Sequence, residues 1–490
     1  MSLPKLTDRG SWLSGILLIS MAAFALLWKL GAGTLAAWDE AIYAQVSKEI
    51  VQSGNWLTLH WQFAPWFEKP PVFLWITAAV YRVFGVNEFS ARLPSAVSGL
   101  ILLTVTYKTG TLAYNKRAGL LATVILFTGY HFLSFSRFGT MDVMLTLFIY
   151  TAVFGYLRAR SDRRWWYFSS VACALGVMVK GAGGIVAPTA IVLALVLDRR
   201  LEEFRSRQFW QAGLIAFLII LPWHLLMVAR YGREFINEYI GYHVIARTTS
   251  ALEGHPSNYL YYVGRLIDGF FPFVIVAPSA VVSAIRHYNK DRTTRSWILL
   301  LLPGFVFVVY SAIPTRRPWY IVPLYPALAI LIAGFITGFR QRFAGRPVFR
   351  RAITVVVALL LVVASLYSLL SFSLNQKPQE PIAQMARIAQ SSSPADREPL
   401  ILLVDGQHYY FAQVPLFYSN RAILQAYDSA PPLSEDAKRY ANFIRLQDVV
   451  QTSDRNIIFR ADDWQMLSHG YEVETISETD GLVYGKIKRK

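Results

Sequence analysis

The stretch from Pro71 to Gly85, PVFLWITAAVYRVFG, decides how the whole chain is laid out. It is apolar apart from Arg82, but its roughly fifteen residues fall short of the ~20 that cross a hydrocarbon core as a helix. Longer apolar blocks lie on either side, at 11–31, 94–113, 118–136, 141–158, 164–180, 183–198, 209–229, 268–288, 296–313, 318–338 and 350–373. Five short loops between them are crowded with basic residues: Lys116 and Arg117; Arg158, Arg160, Arg163 and Arg164; Arg199, Arg200, Arg205 and Arg207; Arg286, Lys290, Arg292 and Arg295; Arg340, Arg342, Arg346, Arg350 and Arg351. The positive-inside bias makes these loops cytoplasmic, together with an N-terminus carrying Lys5 and Arg9. If both 71–85 and 94–113 crossed, parity would carry Lys116 and every later basic loop outside. The segment opened by Pro70-Pro71 is therefore read as an interfacial or re-entrant helix. About eleven spans result, with the N-terminus inside and the C-terminus outside.

Composition agrees with a polytopic α-helical membrane protein. Of 490 residues, 54% are hydrophobic and 16% charged, against the ~45–50% and ~25% usual in soluble domains. The formal charge of +17 does not point to nucleic acid, because the basic residues sit in short loops between apolar blocks and form no stripe with interleaved aromatics. Cys173 is the only cysteine, which excludes a disulfide framework or a cysteine-based zinc site. The first apolar block is read as a span, since no small-residue cleavage site follows it. From 375 onward Pro, Ser, Asp and Gln return between short β-like runs such as Leu400–Val404 and Asn456–Phe459. The chain thus divides into a membrane domain, 1–374, with an outer loop at 32–93 bearing interfacial helices, and a small soluble α/β domain at 375–490 on the outer face.

This topology sorts to the outer boundary a set of residues that membranes normally exclude: Asp39, Glu40, Glu68, Lys69, Arg137, Asp142, Lys180, Arg247, His255, Arg316 and Arg317. Charges near lipid are costly unless paired or used, so their gathering at one depth is the pattern of a reaction centre or an ion path. From Trp38 to Gly54 the apolar Ile42, Val46 and Ile50 recur every four residues among Gln45, Lys48, Glu49 and Gln52. That spacing predicts an amphipathic helix lying on the membrane surface, with Asp39 at its start. Asp39 there either caps the helix or takes a proton from an incoming hydroxyl.

In Glu68-Lys69-Pro70-Pro71 the two prolines restrict the backbone beside an acid and a base. Lys69 suits a phosphate, and Glu68 a divalent cation or a proton, although a solvated pair is the plainer reading. Asp142 opens the span 141–158, where an N-cap is again the plainer role. Lys180 precedes Gly181-Ala182-Gly183-Gly184, the turn between two short spans, and is expected in a recess below the outer surface, near a lipid phosphate. His255 lies in a long loop, 230–266, with no local metal-binding spacing. Arg316 and Arg317 break the charge bias and call for a local anion, a headgroup or a substrate phosphate.

Taken in order, Asp39-Glu40, Phe67-Glu68-Lys69-Pro70-Pro71, Asn87-Glu88-Phe89 through Ala91-Arg92-Leu93-Pro94, Arg137-Phe138 with Asp142, and Trp319-Tyr320-Ile321-Val322-Pro323 resemble the GT-C membrane glycosyltransferases. The likeness covers about 1–340 and is to the aminoarabinose transferase and protein O-mannosyltransferase branch. It implies transfer of a sugar from a polyprenyl-phosphate carrier, generally with inversion, to an acceptor outside the cytoplasmic membrane. It further implies that Asp39, with Glu40 beside it, activates or positions the acceptor and that Asp142 is its partner near the donor sugar. Lys69, Lys180, Arg247 and Tyr320 would surround the carrier phosphate, with Arg316 and Arg317 nearby. Glu68 and His255 would be candidate ligands of a divalent metal. No glycine fingerprint for a nucleotide appears, so a lipid-linked donor is expected in place of a nucleotide sugar.

The implied partners are a polyprenyl-phosphate-linked sugar, membrane lipids, and an acceptor that is lipid, glycan or protein. The residues alone also admit a lipid or polysaccharide transporter, or a non-catalytic partner of a glycan assembly complex. The internal symmetry common in transporters is not apparent in the sequence.

Overall fold

The computed structural model describes residues 9–250, 258, 260–290, 296–374, 380–392, 398–404, 412–427, 443–450 and 454–490. The membrane body contains α1 (Arg9–Leu27), α2 (Asp39–Ser53), α3 (Val72–Phe84), α4 (Glu88–Ala113), α5 (Lys116–Phe127), α6 (Tyr130–Ser136), α7 (Asp142–Ala159), α8 (Trp165–Lys180), α9 (Val186–Leu197) and α10 (Arg207–Tyr231). It continues with α11 (Tyr261–Phe270), α12 (Ala277–Lys290), α13 (Ile298–Ala312), α14 (Tyr325–Arg342) and α15 (Pro347–Leu374). Side-chain caps mark several starts. Asn87, Asn115 and Ser206 accept the backbone N–H three residues on, at 2.9, 3.0 and 3.2 Å, and so begin α4, α5 and α10.

Among the described residues six stretches are long and apolar enough to cross a membrane: Glu88–Ala113, Asp142–Ala159, Trp165–Leu197, Arg207–Tyr231, Pro318–Arg342 and Pro347–Ser373. A seventh results if α5 and α6, bent by 69° to each other, form one broken span. The remaining expected blocks are shorter or interrupted helices. Block 11–31 contains α1, 296–313 contains the fifteen-residue α13, and 268–288 is split between α11 and α12. Helix α3 has 13 residues, about 20 Å at 1.5 Å each, and is too short to span. It packs on α2 and the segment after it: the Trp75 indole donates to the Trp56 carbonyl at 2.5 Å, and Phe73 meets the Tyr43 ring edge-on.

The stretch Trp165–Leu197 folds back on itself at Gly181–Ile185. A Cβ on Gly184 would come within 2.3 Å of the Val177 nitrogen, an approach that seven residues of straight helix would forbid. Gly181 has φ +53°, and a side chain there would strike the Tyr239 hydroxyl at 2.7 Å. The two arms return to one side. Trp166 near the start of α8 donates to Glu203 at 3.0 Å, while Asp198 beyond α9 accepts from Tyr156 at 2.7 Å and Ser296 at 2.5 Å. The stretch is a helical hairpin with Lys180 at its tip, and the glycines after Lys180 make its turn.

Beyond the membrane body come α16 (Pro381–Ser392), β1 (Leu400–Leu403), α17 (Gln413–Ser419), β2 (Ile423–Tyr427), β3 (Phe443–Arg445), β4 (Arg455–Arg460), α18 (Trp464–Gly470), β5 (Tyr471–Thr479) and β6 (Leu482–Arg489). The sheet order is β3-β2-β1-β4-β6-β5, with the first four strands parallel and β6 antiparallel to both neighbours. Strand β1, Leu-Ile-Leu-Leu, is buried on both faces, as an unbroken apolar run in a parallel sheet requires. Leu400 and Leu402 face a core shared with α16, whereas Ile401 and Leu403 face Leu446 and Phe459.

The first of those cores also contains Leu35, Ala41, Ala44, Tyr81 and Ala91, so this α/β unit sits directly on α2. The expectation of a surface-lying amphipathic α2 is corrected here: every residue from Glu40 to Ile50 is buried. Its polar side meets protein instead of water. Lys48 donates to the Phe417 carbonyl at 2.6 Å, and the Glu49 carboxylate accepts the Gln62 and Phe63 amides at 3.0 and 2.9 Å. Polar periodicity marks a face that must be satisfied, and a second domain satisfies it as well as a headgroup layer does.

Candidate active site

A cavity of about 280 Å3 opens in the membrane body, lined by Asp39, Tyr43, Glu68, Lys69, Lys180, Arg247, Arg317 and Tyr320 among others. Five distant segments bring them there. Asp39 begins α2, and Tyr43 follows one turn later on the same face. Trp38 before them has φ +68° and ψ −132°, a backbone conformation costly for a non-glycine residue, which marks this helix start as held by its surroundings. Asp39 is half-buried, and no side-chain hydrogen bond caps α2 at Trp38. Among the described residues its carboxylate accepts no hydrogen bond, so it is not serving as a cap.

Glu68 and Lys69 face each other at 3.8 Å, both nearly buried. Burial, and then the Arg247 guanidinium, push the Lys69 ammonium down to about 8 against the opposing pull of Glu68 and Asp39. Burial followed by Asp39, Glu68 and Asp142 hold the Tyr43 phenol well above its ordinary value, so it stays protonated and can donate. Lys180 at the hairpin tip is ion-paired to Asp142, the first residue of α7, and its ammonium lies 5.0 Å from the Tyr320 ring centre. Asp142 is only 3% exposed and meets the cavity through Lys180. The Arg317 guanidinium spans the Trp38 and Trp319 rings at 5.8 and 5.6 Å.

Three expected members lie elsewhere. Glu40 is fully buried away from the cavity, where it accepts from Arg92 at 2.8 and 3.2 Å, from the Ala36 amide at 2.7 Å and from the Gly139 amide at 2.9 Å. A helix turns neighbouring residues about 100° apart, so Asp39 and Glu40 cannot share a task. Arg316 donates to the Ser311 carbonyl at 3.0 Å and does not line the cavity. Arg137 likewise closes the end of α1 through the Ala25, Leu26 and Trp28 carbonyls. His255 lies outside the described residues.

The sequence reading missed His243, in a π-helical stretch, Ile236–Ala246, that also carries Tyr239 to the cavity. Its imidazole is 4.0 Å from the Glu68 carboxylate and 3.9 Å from that of Glu238. The available signal was an aromatic-rich run close before Arg247, but the i to i+5 winding hides which side chains share a face. The described residues do not fit a metal centre. They supply no group of three His, Cys, Asp or Glu side chains able to hold an ion, and the Lys69 ammonium sits against Glu68 where a cation would go.

The family described as dolichyl-phosphate-mannose-protein mannosyltransferase matches residues 68–225. Over 98% of both chains the structure resembles that of ArnT from Cupriavidus metallidurans bound to undecaprenyl phosphate, with a TM-score of 0.77 and 20% identity. The chain has the GT-C fold. A second GT-C structure, the oligosaccharyltransferase of Archaeoglobus fulgidus in the apo form, matches 97% of this chain and 74% of its own, with a TM-score of 0.66 and 10% identity. In sequence, the chain is 27% identical over 349 residues to the undecaprenyl phosphate-alpha-4-amino-4-deoxy-L-arabinose arabinosyl transferase 2 of Proteus mirabilis. That alignment covers 69% of this chain and 62% of the relative, so the chain spans about three fifths of the relative's length. The GT-C likeness agrees with the helical membrane fold and small C-terminal sheet expected from sequence.

Proposed function

We propose that this GT-C protein transfers a monosaccharide from a polyprenyl-phosphate donor to an acceptor at the outer face of the cytoplasmic membrane, with inversion at the sugar. The observation that carries this reading is one cavity lined by the Asp39 carboxylate and by Lys69, Lys180, Arg247 and Arg317. Inverting transfer needs both kinds of group. The acceptor hydroxyl gives its proton to Asp39 while its oxygen bonds to the anomeric carbon, and the bond from that carbon to the carrier phosphate breaks. Lys69, Lys180 and Arg247 meet the negative charge that develops on the leaving phosphate. Asp142 positions Lys180, and Tyr320 flanks its ammonium.

Val186, Phe305, Val309 and Ile313 on the cavity wall supply an apolar lane for the prenyl tail, so the phosphate stays at the boundary. The ArnT structure bound to undecaprenyl phosphate and the aminoarabinose transferase relatives support this donor class. They favour a lipid or glycan acceptor in the cell envelope, and lipid A modification is the acceptor chemistry to assay first. The domain division at 374/375 remains part of the proposal, with the α/β unit as a cap over α2. No step is assigned to a metal.

The direct test incubates purified protein with a polyprenyl-phosphate aminopentose and lipid A, and follows release of polyprenyl phosphate together with sugar on the acceptor. Coupled appearance of both supports the proposal. Passage of labelled carrier across liposomes without any product would instead mark a transporter.

A pH series gives a second check. The Lys69 ammonium is disfavoured by its surroundings, so it loses its proton as pH rises through about 8, well below an ordinary lysine. The linked cost to stability is present below that pH and fades above it as the lysine becomes neutral, whereas phosphate affinity moves the other way. The KM for donor is therefore expected to rise above pH about 8, and Lys69→Arg, which stays charged, to flatten that rise.

A further inference from the structure

At the opposite, cytoplasmic end, three helices that take no part in the cavity carry an unbalanced charge. The sequence holds no Asp or Glu between Glu88 and Asp142, nor between Asp291 and Glu380, although these stretches supply Lys116, Arg117, Arg340, Arg342, Arg346, Arg350 and Arg351. A topological signal alone would leave those cations scattered in solvent. Instead Arg117 from the start of α5, Arg340 from the end of α14 and Arg350 from the first turn of α15 line one cleft of about 480 Å3. Neither Arg117, Arg340 nor Arg350 forms an ion pair among the described residues, and the Arg340 Nε is buried without a hydrogen-bond partner. Burying part of a guanidinium unsatisfied is costly unless an anion completes it.

The remainder of the cleft is apolar and runs away from the arginines. Ile353, Val357 and Leu361 form an i, i+4, i+8 stripe on α15, about 12 Å long at 1.5 Å per residue, opposite Leu121 on α5 and Ile336 on α14. Arginines at the mouth and an acyl-wide apolar lane behind them complement a molecule with a phosphate head and a hydrocarbon tail. We propose that this cleft binds an acidic glycerophospholipid of the cytoplasmic leaflet. Its phosphate lies among Arg117, Arg340 and Arg350, and one acyl chain lies along the α15 stripe. Bound there, it joins α15 to α5 and α14. Leu359, Leu366 and Leu370 on the rest of α15 are each more than half exposed, so this helix packs on its neighbours over a narrow face.

The test uses the full chain purified in a mild detergent, with phosphatidylglycerol or cardiolipin added and lipid retention counted by native mass spectrometry. Retention of either acidic lipid, in preference to phosphatidylethanolamine, supports the site. Arg340→Gln leaves the other loop charges in place and is expected to weaken retention about fivefold. Val357→Phe, which keeps all the charges but fills the lane, is expected to weaken it comparably and to lower the lipid-dependent rise in unfolding temperature. Equal retention of phosphatidylethanolamine, or unchanged retention in both variants, overturns the proposal. So does displacement of the lipid by inorganic phosphate at its own concentration, since that would mean a headgroup contact with no acyl lane. None of these readouts depends on sugar transfer, so they stand apart from the fate of the outer cavity.

Discussion

Asp39→Asn is expected to lower sugar transfer by the purified protein about 10³-fold, with its thermal unfolding unchanged. The substitution keeps the shape of the side chain and removes its ability to accept a proton. Because this carboxylate caps no helix and accepts no hydrogen bond among the described residues, the fold loses nothing when the charge goes. Donor affinity should change little, since the proposal assigns the phosphate to Lys69, Lys180 and Arg247, which also line the cavity. A loss that came only from a raised KM, with kcat unchanged, would contradict the assignment, as it would show that Asp39 only binds substrate. Near-normal turnover would remove Asp39 from the chemistry and leave the cavity to a transporter or a silent partner.

The neighbouring Glu40→Ala is expected to behave in the opposite way, costing about 3–5 kcal/mol of stability. Glu40 joins four pieces of the chain: α2 itself, the Ala36 amide, Arg92 on α4 and the Gly139 amide before α7. Arg92 in turn gathers the Leu30, Ala32 and Thr34 carbonyls at 3.1, 2.8 and 2.9 Å. Removing the carboxylate strands a buried guanidinium and two amides. The measurement is the unfolding midpoint and the yield of monodisperse protein, compared with those of Asp39→Asn. If Glu40→Ala unfolds like the parent chain and loses only turnover, the two residues share the catalytic role after all.

The contrast between Asp39 and Glu40 shows where the sequence was readable. Charge, apolar length and parity depend on local composition, so they placed Glu68, Lys69, Asp142 and Lys180 at one end of the membrane body before any geometry was known. The glycines after Lys180 also declared a turn, because few other residues tolerate the approach seen between Gly184 and Val177. Which way a side chain points within an irregular segment was not readable. Arg316 and Arg317 are adjacent, yet the guanidinium of the first serves the Ser311 carbonyl while the second lines the cavity. His243 was hidden by π-helical winding. The burial of α2 was hidden because its cover comes from residues nearly four hundred positions away, beyond any local periodicity.

That cover has an evolutionary consequence. Helix α2 carries the proposed base at its start, and its Lys48 holds the Phe417 carbonyl of the outer unit, while the Leu35 amide just before it donates to the Tyr418 hydroxyl at 2.9 Å. A lobe swapped in from a cousin would have to bring matching residues for these handholds, or the carboxylate would drift from its partner sugar. Diversification of the α/β lobe and of α2 with the segment before it should therefore proceed in step, as paired changes.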